Sequence, residues 1–315
     1  MARRIAEIKL GLIAALLSLV VPAQAENRAL LVGVSVYAHL PDRNLPGAAN
    51  DVLLMAKTVA GLGFEAGQVS VLSEASGTLP TRANILAGLA DLVQQARPGD
   101  WVLVYLSGHG AQVPKPAGGL DEVFLPRDTE LWNPAAQTVA GAVRDQELAA
   151  ALMRIRAKGA HVWAILDTCH AADMLRQPGR LGRPQSWRFI TPEALHLPMQ
   201  LWAARWGSNP SRSSTRHPAT RGVAAGRYVA FFSSQKGEGS AEELLPDPDA
   251  TGQSKRFGLF TYKLAQATQG WSGSFKALAQ RIEAQYLDRP FPTPEFVGPL
   301  NITPPFGGTA RPPLP

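Results

Sequence analysis

The sequence predicts an α/β fold with a mostly parallel central sheet and helices on both of its faces. Apolar strand patterns at residues 28–36, 101–106 and 161–166 alternate with segments whose apolar residues recur at helical spacing. This alternation is typical of parallel sheets, because a crossover between parallel strands is usually made by a helix. At 315 residues the chain has room for one large domain or two small ones.

The first half of the chain supplies most of this pattern. Strand 28–36 (RALLVGVSV) leads into a helix predicted at 46–62, which stops at a glycine, and a short strand is predicted at 68–72. Thr81 is an N-cap candidate for a helix that runs to about residue 96. A turn at residues 98–100 (PGD) then leads into the strand that begins at Trp101.

The second half continues the pattern after one interruption. We expect a strand or hairpin arm at 121–125, a helix at 144–157 and a strand that ends at Cys169. Residues 176–227 are rich in Arg, Pro, Gly and Ser without a clean apolar period, which predicts a long loop or partly disordered connection. The remaining predicted elements are a strand at 228–232, helices at 257–267 and 274–286, and an extended tail at 290–315.

The N-terminus resembles a secretory signal peptide. Basic residues at positions 3, 4 and 9 precede an apolar run at 10–21, and residues 23–25 (AQA) match a small-x-small cleavage site. We therefore expect residues 1–25 to be removed before Glu26 and the protein to be secreted or periplasmic. The apolar run is short for a transmembrane span, so stable membrane insertion is not expected, and an uncleaved anchor is the alternative.

The positive net charge of +6 is concentrated in one stretch. Between Arg176 and Arg227 there are nine arginines and a single acidic residue, Glu193, whereas the rest of the mature chain is slightly acidic. Basic patches attract nucleic acids and anionic surfaces. Because the stretch has neither lysines nor repeats, we do not expect a nucleic-acid partner.

One cysteine occurs in the whole chain, and it follows an apolar strand. Cys169 comes after residues 161–166, and His109 follows the strand at 101–106 in the same way. Reactive groups at the carboxyl ends of neighbouring parallel strands meet at one edge of the sheet, where such folds bind ligands. A thiol and an imidazole there would make a nucleophile and a general base, although a lone cysteine is also commonly an inert buried residue.

The chemistry of a Cys/His hydrolase requires further groups. The peptide N–H groups of Gly108 and Cys169 are candidate donors to a tetrahedral oxyanion. His170 is a competing base, but side chains of adjacent residues near a strand end point apart, which favours His109.

Several motifs in the chain resemble those of the caspase-like cysteine peptidases, specifically the metacaspase and bacterial orthocaspase branch. Residues 105–110 (YLSGHG) and 167–171 (DTCHA) resemble the two catalytic segments, with Leu106 inserted in the first. Further similar segments are 28–34 (RALLVGV), 45–51 (LPGAAND), 81–85 (TRANI), 121–122 (DE), 145–148 (DQEL), 233–235 (SSQ) and 258–261 (GLFT).

This resemblance implies a caspase-like three-layer sandwich with a mostly parallel central sheet. Residues 26–175 correspond to a large-subunit-like part, 176–227 to a linker and 228–289 to a small-subunit-like part. The resemblance also implies cleavage after Arg or Lys, with Asp51, Ser107 and Asp167 at the positions of the acidic specificity pocket. Without it, Asp51 is explained as a helix N-terminal acid and Asp167 as a turn residue.

The same resemblance gives the linker a second interpretation. If the pocket accepts arginine, arginines of the linker are candidate sites of self-cleavage. The alternative is that the linker is a solvent-exposed loop that is not cleaved. The candidates are Arg176, Arg180, Arg183, Arg188, Arg212 and Arg216.

Many metacaspases are activated by calcium, but the corresponding acids are incomplete here. Gln146 interrupts the acidic triplet between Asp145 and Glu147, and Arg176 stands where the family often has Asp, although Asp173 is nearby. Because Ca²⁺ is coordinated by six to eight oxygen atoms, we do not expect a tight calcium site. We expect no other cofactor.

Together these features predict a monomeric, exported cysteine endopeptidase that acts on proteins or peptides after Arg or Lys. Two other classes of function stay open: a catalytically silent caspase-like binding protein, and a nucleic-acid or membrane-surface binder that uses the arginine-rich stretch.

Overall fold

A six-stranded sheet forms the centre of the protein, and five adjacent strands within it run parallel to one another. The computed structural model describes residues 25–115, 118–169, 186–206, 225–235, 238–289 and 292–306. In spatial order the strands are β14 (Glu295–Val297), β11 (Tyr228–Phe232), β9 (His161–Asp167), β3 (Trp101–Ser107), β1 (Asn27–Gly33) and β2 (Val69–Leu72). Strand β14 is antiparallel to β11 and lies at one edge. The predicted mostly parallel sheet is confirmed.

Helices cover both faces of this sheet. They are α1 (Pro46–Gly61), α2 (Arg82–Gln95), α3 (Asp145–Ala157), α4 (Met199–Trp206), α5 (Leu259–Thr268) and α6 (Phe275–Glu283). Short 3-10 turns lie at Pro41–Arg43, Ala66–Gln68 and Ala284–Tyr286. Thr81 caps α2 as predicted, since its side chain accepts a hydrogen bond from the backbone N–H of Asn84 at 3.3 Å.

The side chains of each central strand alternate between two apolar cores. In β3, Val102 and Val104 face the core that includes residues of α2 and α3, whereas Leu103 and Tyr105 face the core that includes residues of α1, α5 and α6. Successive side chains of a strand point to opposite faces, so a strand buried on both sides reads as a continuous apolar run. The result is the predicted three-layer arrangement of helices, sheet and helices.

Smaller antiparallel sheets lie beside the central one. One contains β4 (Gly110–Pro114), β5 (Leu120–Phe124) and β8 (Val143–Arg144), and a second contains β10 (Ser186–Trp187), β12 (Ala241–Pro246) and β13 (Ser254–Gly258). A two-stranded ribbon pairs β6 (Trp132–Asn133) with β7 (Thr138–Val139). Of these, the sequence pattern indicated only β5. Strand β4 is equally long and buried, but its sequence (GAQVP) contains only two apolar residues, and the remaining strands are two residues long or partly exposed.

The structure differs from our interpretation of two segments. Residues 186–206, which we assigned to a loop, contain β10 and α4, and four of their side chains are buried in the core: Ile190, Leu195, Leu197 and Trp202. The tail after residue 290 contributes β14, and Phe306 is buried between Trp101 and Trp163. Both segments are held in place by long-range contacts, which a local sequence pattern cannot show. The predicted signal peptide at 1–25 lies almost wholly outside the described residues.

Candidate active site

The carboxyl ends of β3 and β9 bring two of the predicted pocket residues side by side. Ser107 is the last residue of β3 and pairs in register with Asp167, the last residue of β9. Helix α1 packs close to this edge, and its buried Asp51 accepts a hydrogen bond from the Ser107 hydroxyl at 2.9 Å. Three residues that lie far apart in the sequence therefore line one pocket.

A guanidinium group of the chain itself fills this pocket. Arg188, which is completely buried, donates from Nη2 to the Asp51 carboxylate at 2.5 Å and from Nη1 to the Ser107 hydroxyl at 2.7 Å. Its Nη1 also lies 3.3 Å from Oδ2 of Asp167 and donates to the Asp167 carbonyl at 3.1 Å. The pocket thus binds one arginine by paired, charge-assisted hydrogen bonds.

Two pocket residues were missed by the sequence analysis. Glu242 of β12 places Oε2 3.7 Å from Nη2 of Arg188, and it accepts a hydrogen bond from the backbone N–H of Gly47 at 3.1 Å. Gly258 donates its N–H to Asp51 at 2.8 Å, and a Cβ at this position would overlap Asp167 and the Arg188 guanidinium. The motif at 258–261 was noted, but nothing local identifies Glu242, because β12 reaches the pocket only in the folded chain.

The pocket holds more acidic groups than cations. Three carboxyl groups, those of Asp51, Asp167 and Glu242, surround the single guanidinium of Arg188. Burial raises the pKa of Asp51 to about 7 although Arg188 opposes this effect, and burial also raises the pKa of Glu242. The carboxylates keep the Arg188 guanidinium charged, with its pKa raised above the usual value despite burial. A cation in this pocket is therefore strongly favoured over a neutral group.

Cys169 lies next to the pocket and is fully buried. Its sulfur accepts a hydrogen bond from the backbone N–H of Ser240 and lies 3.5 Å from the Ser240 carbonyl oxygen. The half-buried side chains of Trp187 and Phe189 pack against it. This burial raises the pKa of the thiol to about 12, so the thiol is neutral at physiological pH in this arrangement.

His109 is held in one orientation by backbone groups. Its ring Nε2 lies 2.8 Å from the carbonyl oxygen of Arg43, and its backbone N–H donates to the Tyr37 hydroxyl at 2.7 Å. Burial lowers the pKa of the ring to about 4, against the opposing effect of the Arg43 carbonyl. A neutral ring that donates from Nε2 to Arg43 leaves Nδ1 unprotonated, and in the described part of the chain Nδ1 has no hydrogen-bond partner.

Three backbone N–H groups near Cys169 donate to carbonyl oxygens. The N–H of Gly108 donates to the carbonyl of Asp167 at 3.4 Å, whereas the N–H groups of Gly110 and Cys169 donate to the carbonyl oxygen of Arg188 at 3.0 and 3.4 Å. Gly110 lies so close to Cys169 that a Cβ on it would overlap the Cys169 carbonyl oxygen. Gly110 and Cys169 therefore share the Arg188 carbonyl oxygen as acceptor, and the role of Gly108 as an oxyanion donor stays a prediction.

The predicted residues that remain fall in two groups. His170, Asp173 and the candidate cleavage sites Arg176, Arg180, Arg183, Arg212 and Arg216 lie outside the described residues. Both acids of the weak calcium motif are described: Glu147 pairs with Arg82, and Asp145 is buried at the start of α3. Within the described ranges, no group of three or more His, Cys, Asp or Glu residues is arranged to hold a metal ion.

A separate cavity of about 500 Å³ lies between α1 and α5, away from Cys169, and Lys57 and Tyr262 are among its lining residues. It contains neither His109 nor any pocket acid, so we place the candidate site at the sheet edge instead. No helix in the described ranges combines the length and the apolar character needed to cross a bilayer.

The chain is similar to known proteins in sequence and in fold. The chain is 30% identical over 162 residues to metacaspase-1 of Mycosarcoma maydis and 30% identical over 163 residues to metacaspase III c of Phaeodactylum tricornutum. These matches cover 49% and 50% of this chain, but only 38% and 46% of the relatives. The chain thus spans less than half the length of either relative.

Two solved structures share the fold. A Geobacter sulfurreducens protein matches 89% of this chain and 98% of its own at a TM-score of 0.61 and 22% identity. Caspase-1 of Spodoptera frugiperda matches 87% of this chain and 88% of its own at a TM-score of 0.52 and 12% identity. At these identities the likeness concerns the fold alone, which is caspase-like. A sequence profile of the caspase domain matches residues 26–285, so this chain belongs to the caspase-domain peptidase family.

Proposed function

We propose that the protein is a cysteine endopeptidase that cuts peptide bonds after Arg or Lys, with Cys169 as nucleophile and His109 as general base. The observation that carries this proposal is the binding of Arg188. Its side chain is paired with Asp51, Ser107 and Asp167 while its carbonyl oxygen accepts hydrogen bonds from Gly110 and Cys169. A substrate arginine bound in the same way would present its carbonyl carbon beside the thiol.

Each step of peptide hydrolysis has a candidate group in this site. The Cys169 sulfur attacks the carbonyl carbon, and the unprotonated Nδ1 of His109 takes the thiol proton and passes it to the leaving amine. The N–H groups of Gly110 and Cys169 stabilise the oxyanion, since they already bind a carbonyl oxygen there. A water molecule then hydrolyses the thioester and restores the thiol.

The first experiment measures turnover of peptides that carry Arg, Lys, Asp or Gln before a fluorogenic amide. We expect turnover after Arg and Lys, and a loss of about 10³-fold or more in Cys169→Ala and His109→Ala. Turnover only after Asp would contradict the pocket assignment while keeping the pair of catalytic residues. No turnover with any peptide, by fresh or aged protein, would contradict the peptidase itself.

One observation favours a second candidate, a catalytically silent binding protein. Cys169 is fully buried beneath Trp187 and Phe189, and an arginine of the chain occupies the pocket. If that arrangement is permanent, substrates have no access to the thiol. The same set of peptides distinguishes the two candidates, because a silent protein turns over none of them.

The remaining expectations form part of the proposal. We propose that the protein is exported, works as a monomer and needs no cofactor. N-terminal sequencing of the exported protein tests cleavage before Glu26, and light scattering tests the oligomeric state. If activity is lost in a chelator and regained with Ca²⁺, the protein requires calcium, and this part of the proposal is wrong.

A further inference from the structure

We propose that Asp100 is a binding site for the α-ammonium group that removal of the signal peptide creates at Glu26, so that cleavage fixes the start of the mature chain to the central sheet. This inference rests on one part of the proposed function, export with cleavage before Glu26, and not on the peptidase activity. Three observations carry it: the position of the Glu26 nitrogen, the burial of the Asp100 carboxylate, and the strand pairing that holds both residues in place.

The backbone nitrogen of Glu26 lies directly beside a carboxylate. Its N–H donates to Oδ1 of Asp100 at 2.9 Å, although the two residues are 74 positions apart. The preceding residue, Ala25, is exposed and lies against the turn at Gly99, where an added Cβ would come within 3.7 Å of the Ala25 Cβ. The predicted cut between Ala25 and Glu26 would therefore remove an exposed residue and leave the hydrogen-bonded nitrogen in its place.

Cleavage changes the charge of this nitrogen. A signal peptidase adds water across the Ala25–Glu26 amide bond, so the C–N bond breaks, Ala25 receives a carboxylate and Glu26 receives an amine. An α-amine has an ordinary pKa of about 7.7–8.0, so it takes up a proton at neutral pH and becomes an ammonium group. A hydrogen bond from an uncharged amide then becomes an ion pair, which is strong where solvent is excluded.

The Asp100 carboxylate is suited to bind such a cation, because only 1% of this residue is exposed. Its Oδ2 accepts the backbone N–H of Arg97 at 2.9 Å, and in the described part of the chain its ion-pair partner is Arg28, whose Nε lies 3.8 Å from Oδ2. The terminal nitrogens of Arg28 donate elsewhere, to the Glu26 carboxylate and to the Gln95 side chain. A buried carboxylate whose cation is distant is costly, so a positive charge beside Oδ1 stabilises the folded state.

Strand pairing holds the two partners in place before the charge is added. The carbonyl oxygen of Glu26 accepts the N–H of Trp101 at 3.0 Å, and Asn27 pairs in register with Trp101. The carbonyl oxygen of Asp100 accepts the N–H of His161 at 2.7 Å, so the starts of β1, β3 and β9 meet at this point. Because these contacts fix both partners, little conformational entropy is lost when the ion pair forms.

The ion pair distinguishes the mature chain from its precursor. In the precursor the same nitrogen belongs to an uncharged amide, so the fold lacks this stabilisation until the signal peptide is removed. Two of the three strands that begin here, β3 and β9, end at the pocket residues Ser107 and Asp167. Removal of the signal peptide therefore stabilises the sheet that carries the candidate active site.

The test compares two forms of the protein that differ only in their first residues. One begins at Glu26 and the other keeps residues 23–25, and each is released from an N-terminal fusion by a protease that leaves no added residue. Both forms carry one α-ammonium, but only the first carries it beside Asp100. At pH 7 we expect the form that begins at Glu26 to have a Tm higher by about 3 °C or more.

The same comparison in two variants assigns the difference to the carboxylate. In Asp100→Asn the two forms should have the same Tm, because the ammonium gains no opposite charge. Asp91→Asn is the matched control, since Asp91 is an exposed acid on α2 and its replacement should preserve the difference.

A second measurement does not depend on the folding of Asp100→Asn. The α-amine of the form that begins at Glu26 is acetylated by acetic anhydride at a series of pH values, and the N-terminal peptide is quantified by mass spectrometry. An adjacent carboxylate favours the charged amine and raises its pKa. We expect half-maximal labelling at about pH 9 or above in the folded protein, against about 7.7–8.0 in urea.

Few other groups can contribute to this titration. The charged side chains beside the amine are those of Asp100, Arg28 and Glu26 itself. On β9 the nearest titratable group is His161, whose pKa is lowered by burial, so its ring is neutral in this pH range. The 3-10 turn and α2 contribute the uncharged side chains of Gln68 and Gln95.

Equal Tm values for the two forms, a difference that persists in Asp100→Asn, or identical labelling curves in the folded and unfolded protein would each overturn the inference. An exported protein whose sequence begins at another residue would overturn it as well, because its ammonium group would then lie elsewhere. Neither measurement uses peptide turnover, so a failure of the proposed peptidase activity leaves the inference standing.

Discussion

Asp51 and Arg188 form an ion pair in which neither side chain reaches solvent, with Nη2 of the arginine 2.5 Å from a carboxylate oxygen of the aspartate. The two residues are 137 positions apart, and they join α1 to the segment whose Trp187 and Phe189 pack against Cys169. Breaking one member of a buried pair is costly because the other charge is left unpaired in a medium of low dielectric constant. The pair thus holds the segment around Arg188 against α1.

Substitution of Asp51 should weaken selection for arginine. In Asp51→Asn we expect the ratio of kcat/KM for an Arg peptide over a Gln peptide to fall by about 30- to 1000-fold, equivalent to about 2–4 kcal/mol. The ratio is the useful quantity, because a change in the fraction of molecules with an accessible thiol affects both peptides equally. Asp249→Asn is the control, since Asp249 pairs with Lys57 at the exposed surface. An unchanged ratio in Asp51→Asn would show that Asp51 does not bind the substrate side chain.

The neutral, buried His109 makes the folded state sensitive to acid. Its pKa is lowered to about 4 in the folded protein against 6.5 for the free side chain, so between these values only the unfolded chain takes up the proton. Stability is therefore lost as the pH falls from about 6.5 towards 4. Between pH 7.5 and 4.5 the loss from this residue amounts to about 2.5 kcal/mol.

His109→Gln should remove the part of the stability loss at low pH that is due to the imidazole. The measurement is the free energy of unfolding in urea at pH 7.5 and 4.5, for both proteins. Asp51 and Glu242, whose pKa values are raised by burial, favour folding at low pH, but they act in both proteins and cancel in the comparison. Equal losses in the two proteins would mean that the imidazole is protonated in the folded state at pH 4.5.

Gly110 should tolerate no side chain. A Cβ there would overlap the carbonyl oxygen of Cys169, and this backbone atom cannot move without shifting Cys169 itself. We expect Gly110→Ala to lower the free energy of unfolding by about 1–3 kcal/mol and to abolish peptide turnover. Gly67→Ala, where a Cβ would meet no atom within 4 Å, is the matched control and should leave the free energy of unfolding and the peptide turnover unchanged. Full activity in Gly110→Ala would reject this residue as an oxyanion donor.

Phe306 ties the C-terminal tail to the core. Its ring packs on Trp101, Trp163 and Phe275, and only 4% of the residue is exposed. We expect Phe306→Ala to cost about 3–5 kcal/mol, seen as a lower Tm in thermal unfolding. Leu287→Ala is the control, because Leu287 is 84% exposed and should shift the Tm little. Equal shifts would mean that the tail does not stabilise the core.

The sequence alone was sufficient for the central architecture. Strands β1, β3, β9 and β11 are continuous apolar runs because both of their faces are buried, and this pattern can be seen without a structure. The helices between them have the expected apolar spacing, with boundaries within a few residues of those predicted. The positions of His109 and Cys169 at neighbouring strand ends follow from the same reasoning, because parallel strands end at one edge.

The sequence also suggested Asp51, Ser107 and Asp167 as pocket residues, through the resemblance of their motifs and not through their local patterns. The structure places all three around one guanidinium. Whether they bind a substrate side chain in the same way stays a prediction.

Only the tertiary structure decided which arginine fills that pocket, which glycine faces its carbonyl oxygen, and that Glu242 lies beside it. These relationships depend on β10 and β12, two short strands whose pairing joins residues more than fifty positions apart. Local propensity carries no information on such pairing. The hydrogen bonds and buried ion pairs that stabilise it form only when the distant partner is in place. The alternation of apolar strands with amphipathic helices therefore determined the layers of this protein, and long-range contacts determined which groups meet in the pocket.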